Sequence, residues 1–171
     1  WLLGSSTFSA QLADQLGLPF AFAGQFSPDY LHAALSTYRE HFQSSADLQQ
    51  PHVMLGINAY VAESRDQAHF LASSHQQAFL NLIRGTPGPM PPPVADMSGL
   101  WLPHEKHQVM STLAGTLIGD QQAVTEQLAD LVERTGANEL IVSSSIYDQA
   151  ARRDSYSRLM QAAASIPVGR S

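Results

Sequence analysis

A glycine and two serines stand where an apolar run gives way to a helical pattern near the start of the chain. Gly4, Ser5 and Ser6 follow the apolar residues 1–3 and precede apolar residues at helical spacing. The first N–H groups of a helix lack intrahelical partners, and serine hydroxyls add donors, so this loop could bind an anion such as phosphate. The same pattern is typical of an ordinary serine N-cap, which the residues alone favour.

Other polar clusters give weaker indications of chemistry. Residues 143–145 are three serines after an apolar run, but the Gly-x-Ser-x-Gly spacing of a hydrolase nucleophile is absent. His104 and His107 share one face of a predicted helix, yet two imidazoles without a third ligand nearby do not define a metal site. Arg152 and Arg153 could reach an anion, although a solvated helix face explains them better. The residues therefore favour neither a hydrolase nor a metalloprotein.

Two further polar residues stand next to predicted elements. Gln25 follows the apolar run 19–23, and at the carboxyl end of a barrel strand polar groups tend to face the active site. Its carboxamide can donate and accept hydrogen bonds but cannot transfer protons near neutral pH. Asp148 precedes the last helical pattern and is predicted to be its N-cap.

Composition narrows the class of protein. The 171 residues, 44% hydrophobic and 14% charged, suit one globular domain with a core. Nine Lys and Arg against fifteen Asp and Glu give a net charge of −6, which argues against nucleic acid as a partner. The chain has no cysteine, so disulfides, thiolate zinc sites and cysteine nucleophiles are excluded. No apolar run approaches the ~20 residues of a membrane span, and we expect a cytoplasmic protein.

Apolar runs alternate with helical patterns along the chain. We predict parallel strands, adjacent in chain order, at residues 1–3, 19–23, 52–62 and 139–143, with helices between them and after the last. A short helix over 104–113 and a helix capped by Asp120 precede the fourth strand. This alternation indicates right-handed βαβ crossovers and the α/β class. Four such units are about half of a (β/α)8 barrel of ~250 residues, although an open four-stranded sheet fits as well.

A proline-rich segment interrupts this alternation at residues 85–103. Its prolines forbid regular hydrogen-bonded structure over most of the segment. Its apolar residues can pack back on the rest of the protein, so we expect either a lid or a packed loop inserted before the last strand. These residues are Met90, Val94, Met97, Leu100 and Trp101.

Four blocks of sequence resemble, in their order, the C-terminal half of the bacterial luciferase-like flavin monooxygenases, and within them the luciferase-like oxidoreductase subgroup. The blocks are WLLGSSTFSAQLADQLGLPFAFAG, VMLGINAYVAES, the proline-rich segment ending in SGLWLP, and TLIGDQQAVTEQLADLVERTGANELIVSSSIYDQAARRDSY. The resemblance implies that residues 1–171 are the last four βα units of a TIM-like barrel. It also places a histidine near the flavin in the family's N-terminal half, which these blocks do not include.

The resemblance further implies a reaction. Reduced flavin mononucleotide (FMN) and O2 would oxidise a small organic substrate, and a flavin reductase would supply the electrons. A catalytically silent flavin-binding or partner-binding half-barrel is one alternative, and an enzyme that uses a deazaflavin is another. Because half a barrel leaves two sheet edges open to pairing, we also expect a homo-oligomer.

The resemblance carries over to particular residues. It places the flavin phosphate at Gly4, Ser5 and Ser6, with Ser9 as a weaker candidate one helical turn further on. Gln25 stands where the subgroup more often has histidine, which puts an acid or base role there in doubt. Gln25 and Trp101 are the candidates for the substrate site and lid. Likewise, Gln149 replaces the histidine of an Asp-His pair.

Overall fold

The structure is a computed structural model that describes residues 1–166. Its strands are β1 (Leu2–Gly4), β2 (Phe20–Phe22), β3 (Val53–Ala62), β4 (Leu117–Asp120) and β5 (Glu139–Ser143). Its helices are α1 (Thr7–Gln15), α2 (Leu31–His41), α3 (Arg65–Ile83), α4 (Pro103–Thr112), α5 (Gln121–Thr135) and α6 (Gln149–Ala164), and a short 3-10 turn, Pro28–Tyr30, precedes α2. Residues 167–171, which the predicted domain includes, lie outside the described part of the chain.

The predicted α/β class is confirmed, and the first three predicted strands are adjacent and parallel in the predicted order. β1 pairs with β2 and β2 pairs with β3, both in parallel, and β5 also pairs with β3. β4, which pairs in parallel with the last residues of β3, is absent from the predicted elements. The reason is that a four-residue run containing Gly119 shows too little periodicity to be recognised as a strand.

Side-chain caps determine where three helices begin. Asp120 Oδ1 accepts a hydrogen bond from the backbone N–H of Ala123 at 2.9 Å, and Asp148 Oδ1 accepts one from Ala151 at 2.8 Å. Both predicted N-caps are therefore confirmed. Ser64 caps α3 in the same way. At nineteen residues α3 is a long helix, but no helix within residues 1–166 is both long and apolar enough to cross a bilayer.

The described chain divides into two compact units. The first comprises Trp1–Ile57 and Asp130–Ser143, and the second comprises Asn58–Ala129 and the chain from Ser144 onward. The division falls inside β3 and inside α5, so each of these elements contributes residues to both units.

One face of the sheet in the first unit is packed with large apolar side chains. Phe20, Phe22, Val53 and Leu55 are fully buried there. Tyr38 of α2 packs on Phe20 with ring centroids 5.3 Å apart, and its hydroxyl donates to the Leu18 carbonyl at 2.8 Å. Burial raises the pKa of Tyr38, so the phenol stays protonated. Each buried side chain of this size contributes ~1.5–3 kcal/mol, which holds α2 against this face.

Asn138 ties the start of β5 to the start of β3. Its Oδ1 accepts from the backbone N–H of Val53 at 2.8 Å, and its own N–H donates to the Val53 carbonyl at 2.9 Å. Next to this pair, His52 Nε2 lies 2.7 Å from Glu139 Oε1. The side chain and backbone of one residue therefore satisfy both main-chain groups of Val53.

The second unit has its own apolar core and a buried polar pair. The core consists of Tyr60, Ala62, Ala68, Leu71, Ala72 and Ile146. The Tyr60 hydroxyl lies 2.6 Å from His75 Nδ1. Burial lowers the pKa of His75, so the neutral ring can accept the proton of Tyr60 in a hydrogen bond.

Side chains also satisfy backbone groups of the strands in the second unit. The Gln127 carboxamide accepts from the N–H of Ile118 and donates to its carbonyl, both at 3.1 Å. Ser155 Oγ accepts from the N–H of Val61 at 2.9 Å. These side chains take the place of strand neighbours, because a buried main-chain group without a partner is destabilising.

The proline-rich segment packs against α3. Ser73 Oγ accepts from the N–H of Val94 at 2.8 Å, and Gln77 Nε2 donates to the Pro92 carbonyl at 2.9 Å. Met97 is buried. One of the two predicted alternatives, a loop packed on the rest of the protein, therefore describes how residues 92–97 are held, and a lid role stays a prediction.

An ion pair fastens the two ends of the proline-rich segment. Arg84, after α3, donates from Nε and from one terminal nitrogen to the two carboxylate oxygens of Glu105, each at 2.7 Å. Glu105 Oε2 also accepts from the N–H of Leu102 at 2.7 Å. These hydrogen bonds lower the pKa of Glu105 to about 2.

Replacing Glu105 by Gln should lower the melting temperature above pH 5, because Arg84 then faces no charge. The carboxyl has a lower pKa in the folded than in the unfolded chain, so its contribution is full above about 4.5 and disappears as pH falls towards about 2. We therefore expect the melting temperatures of the wild type and Glu105→Gln to converge between these pH values. Exposed Glu133→Gln is the control. A difference that stays constant down to pH 2.5 would show that the charge is not responsible.

Two glycines with positive φ allow the stability cost of backbone strain to be distinguished from that of steric crowding. Gly17 has φ +60°, and a Cβ there would lie 2.6 Å from the Gln43 carbonyl oxygen, whereas Gly85 has φ +71° and open space around it. Gly85→Ala should cost ~1 kcal/mol from strain alone. Gly17→Ala should cost roughly 2–4 kcal/mol, because overpacking adds to the strain. Urea unfolding of both variants measures this, and equal losses would contradict the crowding at Gly17.

Candidate functional site

The loop of residues 4–6 joins the end of β1 to the start of α1. Ser6 is the N-cap of α1, with extended backbone angles of φ −146° and ψ 166°. The Gly4 carbonyl accepts from the N–H of Ala23 at 2.8 Å, which holds the loop beside the end of β2. Ser6 thus occupies the N-cap position that the residues alone favour, but its side chain makes no capping hydrogen bond. The first N–H groups of α1 are directed out of the helix end.

Ser9 braces this loop from the first turn of α1. Its hydroxyl donates to the Ser6 carbonyl at 2.8 Å and accepts from the Ser6 N–H at 3.4 Å. Its side chain occupies the space where a Cβ on Gly4 would be. Gly4 is therefore required by close packing. These hydrogen bonds let Ser9 position Ser6, and its assignment as a weaker candidate for phosphate binding stays a prediction.

Charge and hydrogen bonding leave this loop available to an anion. The first turn of α1 has no acidic residue that would repel one. No hydrogen bond among residues 1–166 engages the hydroxyl of Ser5, which is partly exposed. The partial positive charge of the helix end adds to these features. Ser5, Ser6 and the N-terminal amides of α1 together can hold a phosphate-sized anion.

Gln25 stands next to this loop, after the end of β2. The chain bends there, because the N–H of Gly24 donates to the Phe22 carbonyl at 3.0 Å and that of Phe26 donates to the Ala23 carbonyl at 3.1 Å. The bend places the Gln25 carboxamide against Gly56 of β3, in the space that a Cβ on Gly56 would need. Gln25 Oε1 is buried there without a hydrogen-bond partner.

The two faces of the sheet in the first unit differ in how they are covered. Leu3, Ala21 and Met54 are aligned across β1, β2 and β3, and they point away from the face that Tyr38 packs on. Leu3 is 72% exposed. Gly56 follows Met54 by two residues and shares this open face. The carboxamide of Gln25 therefore lies on the same face as Leu3, with its Oε1 buried against Gly56.

The structure brings five of the predicted site residues together in the first unit: Gly4, Ser5, Ser6, Ser9 and Gln25. Trp101 belongs to the second unit, where it is partly buried and the Lys106 ammonium lies 6.0 Å from its ring centroid. Its assignment to a substrate site or lid stays a prediction.

The polar residues around the start of α6 have local roles. Arg152 donates to Gln149 Oε1 at 2.8 Å, one turn earlier on the same helix. Arg153 is exposed. These positions agree with a solvated helix face, which the sequence favours for both arginines.

Gly56 is the residue of this site that the sequence analysis does not identify. A glycine inside the apolar strand Val53–Ala62 indicates a close approach by another group, and that signal could have found it. The sequence does not show which group approaches Gly56. The bend at Gly24 brings the Gln25 carboxamide there.

The fold defines the class of protein. The chain has the α/β fold of the luciferase-like TIM-barrel monooxygenases and spans about half of their length. The solved structure of apo-MsnO8 superposes with a TM-score of 0.80 at 28% identity, over 96% of this chain and 50% of that one. The FMN complex of the oxygenating constituent of 3,6-diketocamphane monooxygenase from the CAM plasmid of Pseudomonas putida has the same fold, with a TM-score of 0.55 at 15% identity over 97% of this chain and 47% of that one.

Sequence comparison gives the family. The profile of the luciferase-like monooxygenases matches residues 1–139. A luciferase-like monooxygenase of Escherichia coli (strain K12) is 46% identical over 160 residues, which are 94% of this chain and 48% of the relative. The protein YvbT of Bacillus subtilis (strain 168) is 46% identical over 91% of this chain and 46% of its own length. The chain belongs to the luciferase-like monooxygenase family, and it spans about half the length of the curated relatives that it matches.

The stability of two serine variants tests whether Ser9, and not Ser5, holds the loop of residues 4–6 in place. Ser9→Ala should lower the free energy of unfolding by ~1 kcal/mol, because the loop loses its hydrogen bonds to Ser6. Ser5→Ala is the matched control and should change it by less than ~0.5 kcal/mol. Urea unfolding without ligand measures both. A loss at Ser5 as large as that at Ser9 would mean that Ser5 also braces the loop.

Proposed function

We propose that the protein is a flavin-dependent monooxygenase that binds the phosphate of reduced FMN at residues 4–6. The observation that carries the proposal is the arrangement of this loop, in which Ser6 occupies the N-cap position of α1, Ser9 holds the Ser6 backbone, and the Ser5 hydroxyl makes no hydrogen bond within residues 1–166. Membership of the luciferase-like monooxygenase family supports the flavin as the bound group. The FMN named in the complex of a protein with the same fold supports the mononucleotide form.

The residues present fit a flavin mononucleotide. A dianionic phosphate requires several donors and no nearby carboxylate, and the start of α1 offers both conditions. The unpartnered acceptor of Gln25 offers a polar contact on the open face, beside this loop. Reduced flavin, when bound, would supply the two electrons that reduce one atom of O2 to water, while the other oxygen atom is transferred to a small organic substrate.

Each residue of this site has a defined part in binding. Ser6 and the amides of α1 would hold the phosphate by hydrogen bonds, and Ser5 would add a hydroxyl donor. Gly4 lets Ser9 approach closely enough to keep Ser6 in place. Leu3, exposed on the open face, would offer apolar surface that excludes water from a bound ring.

A second candidate is a protein that binds flavin without turnover. Gly4, Ser5, Ser6, Ser9 and Gln25 include no side chain that titrates near neutral pH, so this site has no general acid or base of its own. A deazaflavin has the same phosphate chemistry and would fit the loop equally. The reductase, the small organic substrate and the homo-oligomer also stay proposals.

The phosphate assignment is tested by comparing FMN with riboflavin, which lacks the phosphate. Ser6→Asp keeps a good N-cap but places a carboxylate against the phosphate. We expect FMN binding to weaken by at least about tenfold while riboflavin binding changes less than about twofold. Quenching of flavin fluorescence measures both affinities.

The control for this test is Ser44→Asp, which adds the same charge at an exposed position. It should leave both affinities unchanged. Equal weakening of FMN and riboflavin by Ser6→Asp would remove the phosphate from this loop.

Turnover distinguishes the two candidate functions. A monooxygenase consumes O2 and reduced FMN and transfers one oxygen atom to its substrate. We expect oxygen consumption with reduced FMN to rise when a panel of aldehydes, alkanes and thioethers is offered, and labelled oxygen from 18O2 to appear in one product. Tight FMN binding without label in any product would favour the silent flavin-binding protein.

A further inference from the structure

Gln25 has a buried acceptor atom that the described part of the protein leaves unsatisfied. Oε1 is inaccessible to water and accepts no hydrogen bond within residues 1–166. An acceptor in this state destabilises the protein, because it has lost water without gaining a donor. Such an atom next to a candidate ligand site indicates that a ligand supplies the missing donor.

The backbone around Gln25 is built to hold the carboxamide where it is. The bend at Gly24 turns the chain over β3, where a Cβ on Gly24 would lie 2.9 Å from the Gly56 carbonyl oxygen. The absence of a side chain on Gly56 then leaves room for the carboxamide itself. Gly24, in the bend after β2, and Gly56, in β3, therefore both accommodate one polar group, which a simple surface glutamine would not need.

Gln25 lies at a distance from residues 4–6 that matches the distance between the phosphate and the ring of a bound flavin mononucleotide. Gly4 and Leu55 are aligned through Phe22, so Gly56 and the phosphate loop are two strand spacings apart, or about 10 Å. A five-carbon ribityl chain and a fused ring system can bridge such a distance. The carboxamide also lies on the same face of the sheet as Leu3, which is 72% exposed on β1.

The hydrogen-bonding groups of a carboxamide complement one edge of the flavin ring system. The pyrimidine part of the isoalloxazine ring carries an imide, in which an N3–H lies between two carbonyl groups. A glutamine side chain offers an acceptor and a donor in one plane, which complements an N–H and its neighbouring carbonyl. The last torsion of glutamine is broad, so Oε1 can turn towards the ring without moving the backbone.

We propose that Gln25 binds the imide edge of the flavin, with Oε1 accepting from N3–H and Nε2 donating to an adjacent carbonyl. This inference rests on the proposed flavin binding and extends it from the phosphate to the ring. Gln25 is thus a binding residue that orients the ring, and it takes no part in proton transfer.

The test compares FMN with its N3-methyl derivative, which cannot donate from N3. In the intact protein, methylation should weaken binding by about tenfold, because the Oε1 acceptor again has no donor. In Gln25→Met, FMN should bind about tenfold more weakly and methylation should then cost less than about threefold. In Gln25→Glu, which keeps the acceptor, the cost of methylation should stay near tenfold at pH 8.

Two controls show whether a loss of flavin binding comes from the imide contact of Gln25 or from another cause. Gln43→Met makes the same substitution at an exposed residue of the first unit and should leave both affinities unchanged. Melting curves without ligand show whether Gln25→Met is folded, and the Gln25→Glu variant provides a second reading if it is not. If the intact protein fails to bind FMN, the proposed function fails. If it binds FMN but methylation costs the same in the intact protein and in Gln25→Met, the imide contact is wrong while the phosphate site stands.

Discussion

Close approach of side chains to glycine backbone is the constraint on which the candidate site depends. Ser9 occupies the place of a Cβ on Gly4, and the Gln25 carboxamide occupies that of a Cβ on Gly56. Both contacts lie where β1, β2 and β3 run side by side in parallel. A methyl group at either glycine would displace a polar side chain from the site, so the glycines determine where the polar groups stand.

The opposite face of the same sheet provides the rigidity that this arrangement needs. Phe20, Phe22, Val53 and Leu55 are fully buried, and Tyr38 packs on Phe20, so the strands beside the two glycines cannot shift without disrupting that packing. On the open face the edge residue Leu3 is 72% exposed, whereas Ala21 next to it on β2 is buried. One face thus stabilises the sheet, and the other leaves polar and apolar groups available for a ligand.

The sequence predicts much of this fold and part of the site, for physical reasons that differ between residues. The strand and helix periods locate β1, β2, β3 and β5, and the short polar residues Asp120 and Asp148 reveal helix starts through their capping chemistry. The pairing of Gln25 with Gly56 is invisible at this level, because the two residues are thirty-one positions apart and meet only through the bend at Gly24. The bracing role of Ser9 likewise requires knowing that its hydroxyl is used within the loop.

A crystal structure of the intact protein with bound FMN tests the central claim most directly. We expect the phosphate within hydrogen-bond distance, about 3 Å, of the Ser5 or Ser6 hydroxyl and of the amides at the start of α1. It also predicts that Ser9 keeps its contacts with Ser6. A phosphate bound elsewhere, with residues 4–6 facing only solvent, would contradict it.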